Sequence, residues 1–337
     1  MPTIQQRAQA AFNALIQNIT ATVVAGSYAR AAAIPMLSHY TSVEAFASIL
    51  RSGQFWFSNI PDMAAIDTSE VIEGTQIVSD ALRTVGPQVI RTIPYAQMNA
   101  GFLFEQMKTP LLTETYAISL CEHGSDQQTD RLTMWHVYGH KGHGLCLVLR
   151  KETMLNQTAA GRFPVHWAPM DYDSAEQLTE RVRHVLSLFE AESAKISPDL
   201  RALISPHLGS LIAGSMVPLV IGHKNPAYAD EREVRFVRTS LINIALTPAD
   251  AVYREVGTPE KPKRIFALPL RQYPEFGIDA SMQALLDHII IGPSNRQDHL
   301  YAETRALLDA HGLSHVATRR STIPFRAPQP RIRHALL

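Results

Sequence analysis

The sequence predicts an α+β fold, with a mixed or antiparallel sheet flanked by helices. Along its 337 residues, several strand-like runs follow one another without a helix long enough for a parallel crossover, which favours antiparallel pairing. The chain is 46% hydrophobic and 18% charged, the proportions of a soluble globular protein with a full core. A mainly disordered chain is therefore excluded.

Residues 1–34 are expected to form an N-terminal helical extension. Apolar residues from Ile4 to Ile19 recur at the spacing of an amphipathic helix, and an alanine-rich segment follows them. No Gly/Ser linker, charge block or repeat divides the remaining sequence. We therefore expect residues 35–337 to form a single α+β domain.

The first strand is predicted at Met36–Thr41, and a helix is predicted from its end to Gly53. Thr41 can cap this helix, and Glu44 can reach back to complete a capping box. Gly53 suits the left-handed position that ends a helix. A second strand is predicted at residues 54–58.

The later elements follow from apolar periodicity and from short apolar runs. The stretch Leu211–Gly222 contains Pro218 and is shorter than the roughly 20 residues that a membrane span needs, so we place it in the core. We accordingly expect no membrane partner. Ser174 and Gln177 predict a capping box at the start of a helix at residues 174–192. Helices are predicted at residues 67–86, 87–108, 174–192 and 300–311, and strands at 115–121, 144–149, 230–238, 262–268, 288–291 and near 316.

Charge and cysteine content limit the function classes. The 31 basic and 31 acidic residues cancel, so the chain has no global basic footprint for nucleic acid or anionic membranes. A charged ligand must therefore be bound locally. Cys121 and Cys146 are too few for a disulfide framework, and the first residues lack a secretory signal. We expect a cytoplasmic protein with reduced thiols.

The densest polar cluster within a predicted strand lies at residues 230–237. Because strand side chains alternate between faces, Glu231, Glu233 and Arg235 are expected to share one face. One interpretation is a solvated outer face with ordinary ion pairs. The other is a functional site with paired carboxylates.

A second candidate site lies at His39, Tyr40 and Thr41, directly before a predicted helix start. Polar groups of a small ligand often meet exposed backbone amides at such positions. The alternatives are a hydrogen-bonded structural histidine, a core tyrosine and a helix cap.

Several histidines and cysteines raise the question of a metal. Their spacing matches no recognised zinc motif, so we expect no bound metal. A phosphate-cradling Gly-rich loop and a Gly-x-Ser-x-Gly nucleophile elbow are also missing from the sequence. The histidines and cysteines considered as metal ligands are Cys121, His123, His136, His140, His143 and Cys146.

Five motifs together resemble the large, mostly bacterial family named domain of unknown function 2971. The match covers about residues 36–326 and departs from the family pattern at Asp62–Asp67, where the usual Asn-Asp is missing and Asp67 is a substitute. The motifs are Leu37–Asn59; Ala117–Glu122; Met134–Tyr138 with His140–Gly142; Lys224 with Glu231–Arg235; and Ile290–Pro293 with Ser321–Arg326.

This family is similar to the ADP-ribosyltransferase fold, and the resemblance implies NAD as a substrate. Cleaving the bond between nicotinamide and ribose develops an oxocarbenium-like cation, which a fixed carboxylate stabilises. The resemblance assigns this role to Glu233, with Glu231 orienting the acceptor or Glu233 itself. Arg235 belongs to the same motif and is counted with the NAD-binding residues.

The same resemblance assigns the remainder of the nucleotide site. His39 would bind the adenosine ribose, with Tyr40 and Thr41 beside it. Trp135 or Tyr138 would offer a ring on which nicotinamide or adenine stacks, although both could equally be core residues.

Three functions compete at this point. The first is an NAD-consuming ADP-ribosyltransferase or NAD glycohydrolase, a class that often serves in toxins or phage defence. The second is a nucleotide- or NAD-derivative-binding module without turnover, and the third is a metal-dependent hydrolase. The acceptor, protein or nucleic acid, stays open.

Overall fold

The computed structural model describes residues 2–63, 65–124, 130–152, 165–241, 250–274 and 277–324. The helices span Ile4–Ala33, Val43–Ser52, Ala65–Thr84, Gly86–Val89, Pro94–Thr113, Leu132–Val137, Ala175–Ala194, Pro198–Gly222, Met282–Leu285 and Gln297–Ala310, with 3₁₀ turns at Ile60–Asp62, His140–Gly142 and Pro226–Glu231. The strands are β1 (Met36–Thr41), β2 (Gln54–Asn59), β3 (Thr115–His123), β4 (Leu145–Leu149), β5 (His166–Pro169), β6 (Glu233–Thr239), β7 (Val252–Thr258), β8 (Lys261–Pro269), β9 (Gln272–Tyr273), β10 (Ile278–Asp279), β11 (Leu286–Ile291) and β12 (Ala317–Arg320). Antiparallel pairs and the parallel pair β11/β12 confirm the predicted α+β class with a mixed sheet.

The chain forms two compact units, each assembled from three separate segments. The first unit contains Met1–Ala33, Phe55–Ser119 and Leu155–Pro269, and the second contains Ile34–Gln54, Leu120–Met154 and Leu270–Leu337. The helix Ile4–Ala33 confirms the helical character of the opening residues. The expected single domain over residues 35–337 stays a prediction.

In the first unit, strands β6, β3, β2, β8 and β7 are neighbours in that order, and β5 pairs with β6. The helices Ala65–Thr84, Pro94–Thr113, Ala175–Ala194 and Pro198–Gly222 supply most of its buried apolar core. Gly209 lets two of these helices approach closely, because a Cβ there would lie 2.8 Å from Asn99 Nδ2 and 3.1 Å from the Ala96 carbonyl oxygen.

The helix Pro198–Gly222 has 25 residues and extends well before the apolar stretch Leu211–Gly222 that stood out in the sequence. By length and composition it could cross a membrane, with a mean hydropathy of 1.5 over its most apolar window, of which 56% is buried inside the protein. Ile212, Met216 and Val220 are completely buried in the first unit. The helix is thus a core element by its contacts, and the expected lack of a membrane partner stays a prediction.

In the second unit, strands β12, β11, β4, β1 and the C-terminal end of β3 are neighbours in that order. Strand β4 lies centrally, antiparallel to β1 and to β11, and all five of its residues are buried. Gly144 precedes β4, and a Cβ there would lie 2.3 Å from the Thr41 carbonyl oxygen. This close approach explains why the strand is entered through glycine.

The start of the helix Val43–Ser52 differs from the prediction. Ser42 is the cap, and its hydroxyl accepts a hydrogen bond of 3.1 Å from the Ala45 backbone N–H. Thr41 instead ends β1, where it pairs with Leu145, so its predicted capping role is wrong. Gly53 ends the helix in the left-handed region at φ 59°, as predicted.

The strand predicted at residues 230–238 also begins later, at Glu233. Residues Pro226–Glu231 form a 3₁₀ turn, which the Asn225 side chain caps by accepting from the Ala227 backbone N–H. Arg232 then adopts a left-handed conformation with φ 44°, which separates the turn from the strand. Strand alternation therefore does not apply to Glu231.

Candidate functional site

The candidate site centres on Glu233, the first residue of β6. Its side chain is 3% exposed and accepts hydrogen bonds from Lys224 Nζ at 2.7 Å, from Arg235 Nε at 2.8 Å and from Arg235 Nη2 at 3.1 Å. Ser119 of β3 donates a further hydrogen bond of 2.5 Å. These donors fix the carboxylate in place.

Lys224 joins the two carboxylates of the sequence motif. It follows the end of the helix Pro198–Gly222 and is 1% exposed. Its ammonium lies 2.8 Å from Glu231 Oε2 and 2.7 Å from Glu233 Oε2, and its Nζ is 5.3 Å from the centre of the Tyr228 ring. The 3₁₀ turn, rather than strand alternation, therefore brings Glu231 beside Glu233.

A third carboxylate, Glu70 on the helix Ala65–Thr84, completes the arrangement. Its Oε2 accepts from Arg235 Nη2 at 2.7 Å, and its Oε1 lies 3.6 Å from Lys224 Nζ. Glu70, Lys224, Glu231, Glu233 and Arg235 are each less than a tenth exposed. We refer to these five residues as the buried charge cluster, which holds three carboxylates and two cations.

Electrostatics keep the centre of this cluster ionised. Burial raises the pKa of Glu233, but the charges of Arg235 and Lys224 outweigh burial and lower that pKa to about 2. Burial conversely lowers the pKa values of Lys224 and Arg235, and the neighbouring Glu233 raises both above their ordinary values. Glu233 therefore carries a fixed negative charge at neutral pH.

A tyrosine fixes the backbone at the same point. The Tyr172 hydroxyl oxygen accepts a hydrogen bond of 2.6 Å from the Glu233 backbone N–H. Burial raises the pKa of Tyr172, so its hydroxyl stays protonated and can still donate. These contacts fix both the carboxylate and the backbone of Glu233.

Burial decides one of the alternatives drawn from the sequence. A solvated outer face for Glu231, Glu233 and Arg235 is wrong, because all three side chains are buried. Their ion pairs are real, but they lie inside the first unit.

The second unit holds the other predicted site residues, and two of them form part of its core. The rings of Tyr40 and Trp135 meet edge to face with centroids 4.8 Å apart, and they are 6% and 1% exposed. Trp135 Nε1 donates to Asp130 Oδ2 at 2.8 Å, and the Arg131 backbone N–H donates to the Tyr40 hydroxyl at 3.0 Å. The core alternative accounts for these contacts, and a stacking or binding role for either ring stays a prediction.

The other three predicted residues are close in sequence to this aromatic pair: His39 and Thr41 flank Tyr40, and Tyr138 follows Trp135 by three positions. His39 is half-buried in β1, where it pairs with Leu147, and Thr41 is buried at the strand's end. Tyr138 follows the helix Leu132–Val137 and is 38% exposed. The residues that the resemblance assigns to one NAD site thus fall into two groups in different units, and a shared site for His39 and Glu233 stays a prediction.

Three residues of the candidate site were missed from the sequence: Glu70, Ser119 and Tyr172. A signal for Glu70 existed, because Gly74 and Val78 follow at helical spacing on the face that packs inward. Ser119 and Tyr172 carried no comparable signal.

The metal question concerns the second unit. Within the described parts of the chain, no group of three His, Cys, Asp or Glu side chains is placed to hold a metal ion. Cys121 and Cys146 are buried free thiols, and the rings of His123 and His288 lie 5.9 Å apart. The expectation of no metal stays a prediction.

Two family motifs reach beyond the described residues. The side chain of Asp67, the proposed substitute in the loop that departs from the pattern, lies outside them, as do residues 325 and 326 of the closing motif. Asp62 is described, and its Oδ2 accepts a hydrogen bond of 2.6 Å from the Arg264 backbone N–H.

A family model described as Protein of unknown function (DUF2971) matches residues 134–236. The matched segment contains Trp135, Lys224 and Glu233 and supports the family resemblance there, but it stops short of His39. It gives no support to the further resemblance to ADP-ribosyltransferases. Comparisons with curated proteins and with solved structures found no match.

Proposed function

We propose that the protein is an NAD-dependent ADP-ribosyltransferase or NAD glycohydrolase that uses the carboxylates of the buried charge cluster. The observation that carries the proposal is the buried carboxylate of Glu233, which lies 2.7 Å from Lys224 Nζ and 2.8 Å from Arg235 Nε, two cations that lower its pKa. Perturbed carboxylates held by specific charge partners are concentrated at functional sites.

The reaction breaks the bond between nicotinamide nitrogen and ribose carbon, and the electron pair leaves with nicotinamide. The ribose carbon becomes cationic and is then attacked by water or by an acceptor nucleophile, which loses a proton. Glu233 supplies the negative charge that stabilises the cation. Glu231, held by Lys224 at 2.8 Å, orients the acceptor.

The cost of the cluster supports a functional origin. Burying charges requires desolvation that their mutual attraction often only just repays, and apolar replacements of similar volume are often as stable. A purely structural core would not need Glu70, Glu231 and Glu233 around Lys224 and Arg235. The five residues are therefore better explained by chemistry than by stability.

One observation favours a second candidate, a nucleotide-binding module without turnover. Glu233 is only 3% exposed, and protein donors already engage both of its oxygens. A carboxylate so placed can stabilise a binding site without touching the substrate. The second candidate binds a nucleotide or an NAD derivative, and only the first releases nicotinamide.

Incubation of the purified protein with NAD, with nicotinamide followed by chromatography, tests the proposal. Thermal unfolding with and without NAD is measured in parallel. Nicotinamide release above the rate in a protein-free control supports the enzyme. A thermal shift without release supports the binding module, and neither signal at millimolar NAD would rule out the enzyme.

A further inference from the structure

The hairpin of β7 and β8 carries three basic residues on one face. Residues directly opposite in an antiparallel pair share a face, and the register pairs Arg254 with Ile265, Val256 with Lys263 and Thr258 with Lys261. Successive positions alternate, so Arg254, Lys261 and Lys263 lie on the same side of the hairpin. All three are exposed.

Trp56 lies on that same face. It belongs to β2, the neighbour of β8 in the sheet, and is 41% exposed. The Arg254 guanidinium carbon lies 5.2 Å from the centre of its ring, a cation–π distance. Trp56, Arg254, Lys261 and Lys263 together are called the Trp56 face.

The opposite face of the hairpin has a different character. Glu255 lies there opposite Arg264, whose Nη2 donates to Asn59 Oδ1 at 2.8 Å. Tyr253 on that face accepts a hydrogen bond of 2.8 Å from Arg238 Nε. Its charges are of both signs, whereas the positions of β7 and β8 on the Trp56 face include no acidic residue.

We propose that the Trp56 face binds single-stranded nucleic acid. The exposed part of the Trp56 ring, beside the Arg254 guanidinium that already contacts it, accepts a stacked base of any sequence, and the flanking cations contact the phosphates. A duplex has its bases already stacked, so the ring favours unpaired strands. Because the chain as a whole carries no net charge, the electrostatic attraction for phosphates is local to this face.

Other partners fit the face less well. An acidic protein segment would use the cations but not the exposed part of the Trp56 ring. A membrane-binding surface would combine the cations with a larger apolar area than one tryptophan provides. The Trp56 face and the buried charge cluster share no residue, so binding here is tested without NAD.

Fluorescence anisotropy with labelled 20-nucleotide oligo(dT) and oligo(U), over a series of salt concentrations, tests the proposal. Trp56→Ala should weaken binding by about 5- to 150-fold, the loss expected for one stacked base. The double variant Lys261→Gln/Lys263→Gln should reduce the slope of log affinity against log salt by about 1.4. Lys195→Gln, an exposed charge on another element, is the matched control and should leave both unchanged.

The result that would overturn the proposal is equally specific. An absence of anisotropy change at 50 mM salt, or Trp56→Ala binding as tightly as wild type, removes the nucleic-acid assignment. Heparin is the polyanion control and competes with the labelled oligonucleotide for the protein. If heparin competes equally well for wild type and for Trp56→Ala, and the variant keeps its oligonucleotide affinity, binding depends on charge alone. That result also contradicts stacking on Trp56. Circular dichroism of each variant checks that the fold is retained.

Discussion

Glu233 has its charge balanced by two buried cations, so its effect on stability follows from its neighbours. Lys224 and Arg235 are 1% and 4% exposed, and both donate to its carboxylate. Removing one partner of a buried pair leaves an uncompensated charge and costs about 3–5 kcal/mol. The nearly isosteric glutamine is therefore not a silent change for folding.

We predict that Glu233→Gln lowers the free energy of unfolding by about 3–5 kcal/mol, because two buried cations lose their shared anion. Urea denaturation followed by circular dichroism measures the loss. Glu255→Gln, at an exposed position of β7, is the control and should stay within about 0.5 kcal/mol of wild type. A loss no larger than that of the control would contradict the contacts described for Glu233.

Trp135 offers a second test at the same scale. Trp135→Phe keeps an aromatic ring beside Tyr40 but removes the Nε1–H that donates to Asp130. We expect a loss of about 0.5–1.5 kcal/mol of unfolding free energy, the net contribution of one hydrogen bond, because the half-buried Asp130 still accepts from the Ser321 hydroxyl. His136→Gln, exposed on the same helix, should change stability little, and an equal loss in both variants would speak against the hydrogen bond.

Residue chemistry was readable from the sequence only where the residues are close along the chain. Glu231, Glu233 and Arg235 stood out as a dense polar run, and the structure does bring them together. Glu70 lies far from them in sequence, and its place depends on how the helix Ala65–Thr84 packs. Helical spacing indicates an inward position for Glu70 but not its contact with Arg235, so the third carboxylate was missed.

At the level of elements, local signals located the helices and strands better than their ends. Two adjacent residues, Thr41 and Ser42, can each cap a helix by their chemistry. Thr41 pairs with Leu145 as the last residue of β1, and Ser42 caps the helix instead. The late start of β6 has a similar cause, since the left-handed Arg232 interrupts a run that looks continuous in sequence.

The cap gives a matched pair of substitutions. Ser42→Ala should lower the free energy of unfolding by about 1 kcal/mol, because the Ala45 backbone N–H loses its acceptor. Thr41→Val keeps the β-branched shape at the strand end and should cost less. Chemical denaturation of both variants measures the two losses in unfolding free energy and so identifies the capping residue. A larger loss in Thr41→Val than in Ser42→Ala would restore Thr41 as the cap.

For the molecule as a whole, buried ionisable groups in both units make stability depend on pH. Burial lowers the pKa of His123 to about 4, with His288 adding to the effect, and burial also lowers the pKa of His223. Both ring nitrogens of His223 are buried with no hydrogen-bond partner among the described residues. Both histidines are therefore neutral in the folded protein near neutral pH.

Stability should fall in two steps as the pH is lowered. Below pH 6.5, the approximate pKa of an unfolded histidine, the unfolded chain binds protons at His123 and His223 while the folded chain does not, so stability falls. For His123 this loss continues down to about pH 4, where the folded protein also binds the proton. Below about pH 4.5, the unfolded chain also protonates Glu233, which stays ionised in the fold down to about pH 2. The melting temperature measured from pH 8 to pH 3 checks both windows.

A variant separates the histidine step from general acid effects. His123→Leu should flatten the decline between pH 6.5 and pH 4, whereas His299→Gln, an exposed histidine, should leave it unchanged. The account fails if the melting temperature is constant between pH 7 and pH 5. It also fails if both variants behave alike.

The claim that the buried charge cluster performs NAD chemistry is tested most directly by the rate of nicotinamide release per folded molecule. Wild type and Glu233→Gln are compared at a temperature where unfolding curves show both to be native, with NAD affinity measured alongside. We predict that release falls by about 10²–10³-fold in the variant while NAD affinity changes little, the usual loss on removing one preorganised electrostatic contact. Equal release rates for the two folded proteins would contradict the assignment of Glu233.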